Sequence, residues 1–347
     1  MSPGVRGHRT AAGAAPVSAP VWLVAQGAGA GEAAFAACFR RAAMRAGLEV
    51  AAFAHPESAR RVLGSPCEPL PPPGSLAARA ASEGPTLVVL SSSLTCAPWI
   101  EALPPGPLIA SLEYTWLMWA QGRPRSIEPV SRSWVFLPNA LFERGLREPG
   151  GIFSISSPVR ERLLPVGWPE PAPQVAPADE VLLYLGQRVP GESFAWAQAL
   201  APAIERVAIE RPDLRWRYVG DRAVALPGLV ERVPWLEPGT FREAVARAAL
   251  VVCHHGMATI ATAAAAGTPV VALTDGVSWR AGAGPAWADQ ELVALESGGI
   301  VRACHGRAPA EALARRMRIA LRGGRGERPA AEGADLAIRS LREWIGA

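Results

Sequence analysis

The apolar positions of this chain gather into short runs bounded by turn residues. Val21-Trp22-Leu23-Val24-Ala25 is the first. Thr86-Leu87-Val88-Val89-Leu90, Leu108-Ile109-Ala110-Ser111 and Trp134-Val135-Phe136-Leu137 follow. Such runs predict strands covered on both faces, the kind found in parallel sheets. After the first run comes a stretch with helical spacing, Ala33 to Ala46, with Gly47 as its C-cap. Leu48 to Phe53 is the next predicted strand. Strands alternating with helices predict an α/β fold, a parallel sheet with helices on both faces.

From Pro165 to Pro177 the chain turns proline-rich, which fits neither helix nor central strand and marks a linker. The alternation then restarts. Strands are predicted at Val181–Leu185, Leu214–Val219, Leu250–Val252 and Val270–Leu273. Helices are predicted at Phe194–Ile209, Phe241–Ala248 and Ala308–Arg322. After the break Gly323-Gly324-Arg325-Gly326, a last helix runs from Leu336 to Ile345 with Asp335 as N-cap. A chain of 347 residues is long for one core, so two domains are expected. The division reads as a loose leader (1–20), an N-terminal domain (21–164), a linker (165–179) and a C-terminal domain (180–330). The segment 331–347 holds the final helix. Two such halves imply a cleft between them, a common place for ligands.

Composition narrows the function. All 35 basic residues are Arg, and they are scattered among 31 acidic ones for a net charge of +4. No basic stripe forms, so nucleic acid is not an expected partner. The five cysteines form no Cys-x-x-Cys pair, which argues against a disulfide framework or structural zinc. No apolar run spans a bilayer and no signal pattern opens the chain, so a cytoplasmic location is expected. Tyr114-Thr115-Trp116-Leu117-Met118-Trp119 could line an acceptor pocket or touch a membrane surface, although packing is the commoner role for such a run.

The most telling stretch is Leu250-Val251-Val252-Cys253-His254-His255-Gly256-Met257-Ala258-Thr259, closed by Gly267-Thr268-Pro269. It reads as a buried strand, a glycine turn and a helix starting at the turn. A helix placed there aims its unpaired N–H groups and positive dipole end at the crevice beyond the strand, where phosphates bind in open α/β sheets. Taken alone, Gly256 and Gly267 could equally do no more than shape a tight turn.

This stretch resembles the nucleotide-sugar box of glycosyltransferases with the two-Rossmann GT-B architecture. The double His and the turn, at His254, His255, Gly256, Thr259, Gly267 and Pro269, are similar to those of antibiotic-type sugar transferases. The gap from Gly256 to Gly267 is similar to that of the lipid II-forming enzymes. Three further segments follow the family's order. Tyr184-Leu185-Gly186-Gln187 resembles its diphosphate loop, Trp235 in Val233-Pro234-Trp235-Leu236-Glu237-Pro238 its base-stacking Trp, and Asp289-Gln290 its sugar-binding pair. The resemblance implies that Gly186, Gln187, Trp235, His254, His255, Gly256, Met257, Ala258, Thr259, Asp289 and Gln290 bind a nucleotide sugar of UDP, dTDP or GDP type. The copy departs from the family in two places. One extra residue separates Trp235 from its Pro. Thr262 stands where the lipid II enzymes carry a ribose-binding Glu, which weakens a UDP assignment and leaves dTDP open.

In the N-terminal half, Gly27-Ala28-Gly29-Ala30-Gly31-Glu32 resembles the family's glycine-rich first loop, which places Gly29 and Gly31 near an acceptor. The family often has a histidine base there. Here Glu32 is the candidate, and Glu113 a second. The plainer expectation for Glu32 is a solvated acid favouring the helix dipole. The glycine spacing does not match a dinucleotide fingerprint, so NAD is discounted. No Asp-x-Asp and no zinc-ligand spacing occur, and neither metal nor cofactor is expected. The resemblance implies metal-independent transfer of a sugar to the hydroxyl of a small-molecule or lipid acceptor. A nucleotide-sugar hydrolase or epimerase, or a non-catalytic nucleotide-binding protein, would share the scaffold.

Overall fold

A computed structural model describes residues 20–27, 30–93, 95–113, 129–138, 141–143, 161–186, 197–220, 224–254, 256–274, 287–305 and 308–345. The N-terminal half runs β1 (Val21–Gln26), α1 (Ala30–Arg45), β2 (Val50–His55), α2 (Glu57–Leu63), β3 (Glu68–Pro69), α3 (Pro73–Glu83), β4 (Leu87–Leu90), α4 (Ala97–Ala102), β5 (Leu108–Glu113), β6 (Arg132–Val135) and β7 (Leu163–Pro165). The C-terminal half runs β8 (Glu180–Tyr184), α5 (Ala197–Glu210), β9 (Arg215–Val219), β10 (Val230–Val233), α6 (Pro238–Arg247), β11 (Leu250–His254), α7 (Met257–Ala266), β12 (Val270–Thr274), α8 (Trp287–Ser297), β13 (Arg302–His305), α9 (Ala310–Gly323) and α10 (Gly333–Ile345).

The strands form two sheets in the orders β3-β2-β1-β4-β5-β6-β7 and β10-β9-β8-β11-β12-β13. Every described pairing is parallel. All strand C-termini of a sheet therefore lie along one edge. The continuous apolar runs arise because both faces are covered. Along β1, Trp22 and Val24 join Leu76 and Ile100 of α3 and α4 in one core. Leu23 and Ala25 point the other way, into a second core with Phe35 and Phe39 of α1.

Several boundaries differ from the pattern in the sequence, each for a local reason. The strand predicted from Leu48 begins at Val50, because Leu48 closes α1. The Leu48 N–H bonds to the Ala43 carbonyl (3.0 Å) and the Gly47 N–H to that of Met44 (3.0 Å), with Gly47 at φ +78°. The strand β7 ends on Pro165, the first residue of the proline-rich stretch, at the edge of the sheet, where a missing N–H is tolerated. The last helix starts at Gly333, so Asp335 sits in its first turn and is not its N-cap. A Cβ at Gly333 would lie 2.7 Å from the Trp168 carbonyl oxygen, a contact that only glycine permits.

The two halves share one core. Its buried members run from α1 and β6 through Trp168 to β11, α7 and α8, and α10 completes it. The helix α10 packs on α1, helped by Arg45–Asp335 (2.8 Å) and by Arg132, which bonds to Ser340 (2.9 Å) and covers the Trp344 ring. Among the described residues no helix is long and apolar enough to cross a membrane.

Candidate functional site

In an open parallel sheet the crevice forms where the strand order reverses direction, at the C-terminal edge. In the six-stranded sheet that point lies between β8 and β11. The first strand ends at Tyr184 and turns through Leu185 and Gly186. The second ends at His254 and enters α7 through Gly256. Gly186 has φ +71°, and a Cβ there would stand 2.4 Å from Cε1 of His254. A Cβ on Gly256 would stand 3.1 Å from the same atom. The imidazole thus fills the space between two glycines, with its ring edge toward Tyr184 (6.5 Å). Tyr184 in turn packs on Phe241 of α6 (4.8 Å).

Gly256 caps α7 in an extended conformation, with no side-chain hydrogen bond at the cap. Its carbonyl takes the N–H groups of Thr259 and Ile260, both at 3.1 Å. The N–H groups of Met257 and Ala258 precede the first helical bond, so the helix itself offers them no acceptor. Met257 and Thr259 turn their side chains into the core, and Ala258 is half-buried. What the first turn presents is therefore mainly backbone N–H and dipole, which suits an anion. Thr262, one turn on, donates its hydroxyl to the Ala258 carbonyl (2.9 Å), a bond internal to the helix.

The other residues singled out from the sequence are spread along the same edge. Trp235 follows β10, two strands beyond β8, and is half-buried, with its indole N–H enclosed and unpaired. Asp289 and Gln290 lie in the first turn of α8, on the far side of β12, and their side chains fall outside the described part. Gln187, His255 and Gly29, like the aromatic run 114–119, also lie outside the described residues.

The seven-stranded sheet reverses between β1 and β4. There the Gln26 N–H bonds to the Ser91 hydroxyl (3.2 Å). Glu32 stands in the first turn of α1 but is not solvated: it is only 5 % exposed. A Cβ at Gly27 would lie 2.5 Å from its Oε2, so the carboxylate folds back over that glycine. Gly31 is exposed, with open space around it. Glu113, at the end of β5, is buried and accepts the Ser93 N–H (2.8 Å). The exposed His55 ends β2 beside Gln26 on the same edge. Reading the strand as ending at Phe53 hid it. Its place as last residue of a parallel strand is the signal that finds it. Among the described residues no group of three or more His, Cys, Asp or Glu could hold a metal ion.

No protein-family model and no curated protein matches the sequence. Solved structures do match in three dimensions. The glycotransferase of kitacinnamycin superposes with a TM-score of 0.56 at 15% identity, covering 94% of this chain and 98% of that one. The spinosyn forosaminyltransferase SpnP gives 0.54 at 13%, covering 95% and 100%. The UDP-GlcNAc 2-epimerase from Methanocaldococcus jannaschii gives 0.56 at 10%, covering 93% and 99%. At such identities the likeness speaks for the architecture alone. With its two parallel sheets and the helices that cover them, the chain has the GT-B fold.

Proposed function

We propose that this protein is a metal-independent glycosyltransferase that takes its sugar from a nucleoside diphosphate donor. The observation that carries the reading is the crevice between β8 and β11, with the Gly186 turn, His254 and the uncapped first turn of α7. The leaving diphosphate would gather negative charge against the Met257 and Ala258 N–H groups, the helix dipole and the His254 ring. Trp235 would stack on the base, and Gln187, His255, Asp289 and Gln290 would complete the donor site. The acceptor, a small molecule or lipid, would enter from the N-terminal half past Gly29 and Gly31. Glu32 would take the proton from its hydroxyl, with Glu113 as the second candidate. Thr262 offers no carboxylate for a ribose diol, so the donor site should accept deoxyribose and ribose nucleotides alike.

UDP, dTDP and GDP are the probes. A nucleotide supplied at about 100 times its dissociation constant should stabilise the fold by ~2.7 kcal/mol. A melting temperature unmoved by all three would end the proposal. E32Q should keep nucleotide binding and lose turnover. A second reading has specific support, since solved neighbours include a UDP-GlcNAc 2-epimerase known in complex with UDP-GlcNAc and UDP. Incubation with nucleotide sugars and no acceptor separates the two. Accumulation of an epimer would establish the epimerase reading in place of transfer.

A further inference from the structure

Two of the helices that meet between the halves carry many small apolar residues. The helix α1 (sequence AGEAAFAACFRRAAMR) meets α7 (MATIATAAAA), and both are rich in alanine. Apolar contact has no preferred direction, and faces of small side chains interlock weakly. Alanine-rich faces of this kind restrain the angle between two bodies less than directional polar contacts do.

Besides the contacts of α10 with the N-terminal half, one buried polar group lies between the halves. Glu170 lies in the connecting segment and is 8 % exposed. Arg41 of α1 grips it with both arms of its fork, Nε to Oε1 and Nη2 to Oε2, each at 2.9 Å. Arg242 of α6 reaches the same carboxylate from the C-terminal half, Nη1 to Oε2 at 2.8 Å. It also donates to the Pro171 carbonyl at 2.8 Å. Arg41 donates as well to Sγ of the buried Cys38 (3.4 Å). A single buried carboxylate is therefore shared by one arginine from each half. Planar forked contacts of this kind are restrictive in distance and in angle. Buried ion pairs contribute little net stability, and their best-attested role is to select one arrangement among several.

We infer that Glu170 is an orienting pin: with Arg41 and Arg242 it selects one interlobe angle from those that the alanine-rich interface would otherwise allow. The role needs no nucleotide, so it stands or falls apart from the proposed transferase activity.

The test is an interlobe distance measured by pulsed electron resonance on the full chain. Spin labels are placed at Arg61→Cys in α2 and Arg322→Cys in α9, both exposed. Cys67→Ser removes the one cysteine that is not buried. With the pin intact the distance distribution should be narrow. In R242M and in E170Q it should roughly double in width or shift its mean, as expected when a two-body interface loses its directional restraint. R45M, which breaks the exposed Arg45–Asp335 pair between α1 and α10, should leave it unchanged. An unchanged distribution in R242M would overturn the inference. So would equal broadening in R45M. If E170Q does not fold, R242M decides alone, because the Arg242 side chain is partly exposed and its loss leaves Glu170 paired with Arg41.

Discussion

At position 186 two constraints coincide. The backbone has φ +71°, and the space where a side chain would begin is taken by the His254 ring, 2.4 Å away. Alanine there would meet both, the first as backbone strain and the second as a clash, together costing on the order of 2–5 kcal/mol. The two can be separated. H254A removes the ring, so the double variant G186A/H254A should recover the steric part and keep the strain. Denaturant midpoints of the four proteins should give a coupling of roughly 1–3 kcal/mol. Simple additivity would mean that the ring does not occupy the place described. At this scale the sequence marks Gly186, His254 and Gly256 as turn residues but not the approach of the ring to Gly186, which joins positions far apart in the chain. It was unreadable at Glu32. An acid in a first helical turn ordinarily faces water, whereas this one folds its carboxylate against Gly27 and is buried.

Element ends show the same division between local and distant causes. Gly47 and Gly267 close α1 and α7 by bonds within a few residues, and both terminations are legible from the glycine itself. The end of α6 falls within one residue of the predicted Ala248, but what covers it is not legible, because part of its closure comes from far along the chain. The Arg325 guanidinium donates to the carbonyls of Ala246, Ala248 (2.9 Å) and Ala266 (3.4 Å), covering the C-terminal ends of α6 and α7 together. Its charge also lies at the favourable end of both dipoles. Hydrogen bonds from a charged donor to buried acceptors typically contribute ~1.5–3 kcal/mol. R325M keeps the length of the side chain and loses those bonds, so it should destabilise by about that amount. For a chain of this size that is a fall of roughly 2–4 °C in melting temperature. Nucleotide affinity should move much less, since the proposed site lies at the opposite end of α7. A large loss of affinity with an unchanged melting point would place Arg325 in the ligand site instead.

For the whole molecule, the alternation of apolar runs and helices discloses two parallel sheets, because that pattern is imposed within each half. The angle between the halves has no such signature. It depends on contacts between residues 129 and 72 positions apart, Glu170 with Arg41 and with Arg242, the three lying on different segments. The charge state of Glu170 makes this junction sensitive to acid. Burial pushes its carboxyl up, but the hydrogen bond and charge of Arg41, the charge of Arg242 and the Cys38 thiol outweigh it. The net result is a value below the ordinary 4.5. Cys38 itself is pushed up to about 12, chiefly by burial, and stays neutral throughout. A carboxyl whose folded value is depressed stabilises the fold fully above its unfolded value. That contribution is lost as the pH falls through the folded value. The stability advantage of the parent protein over E170Q should therefore be constant from neutral pH down to about 5 and shrink below 4.5. Denaturant midpoints of both proteins at pH 6.5 and pH 3.5 measure it. A gap that stays constant across that range would mean that the carboxylate does not carry its charge between the two arginines. The junction would then be held by apolar packing alone.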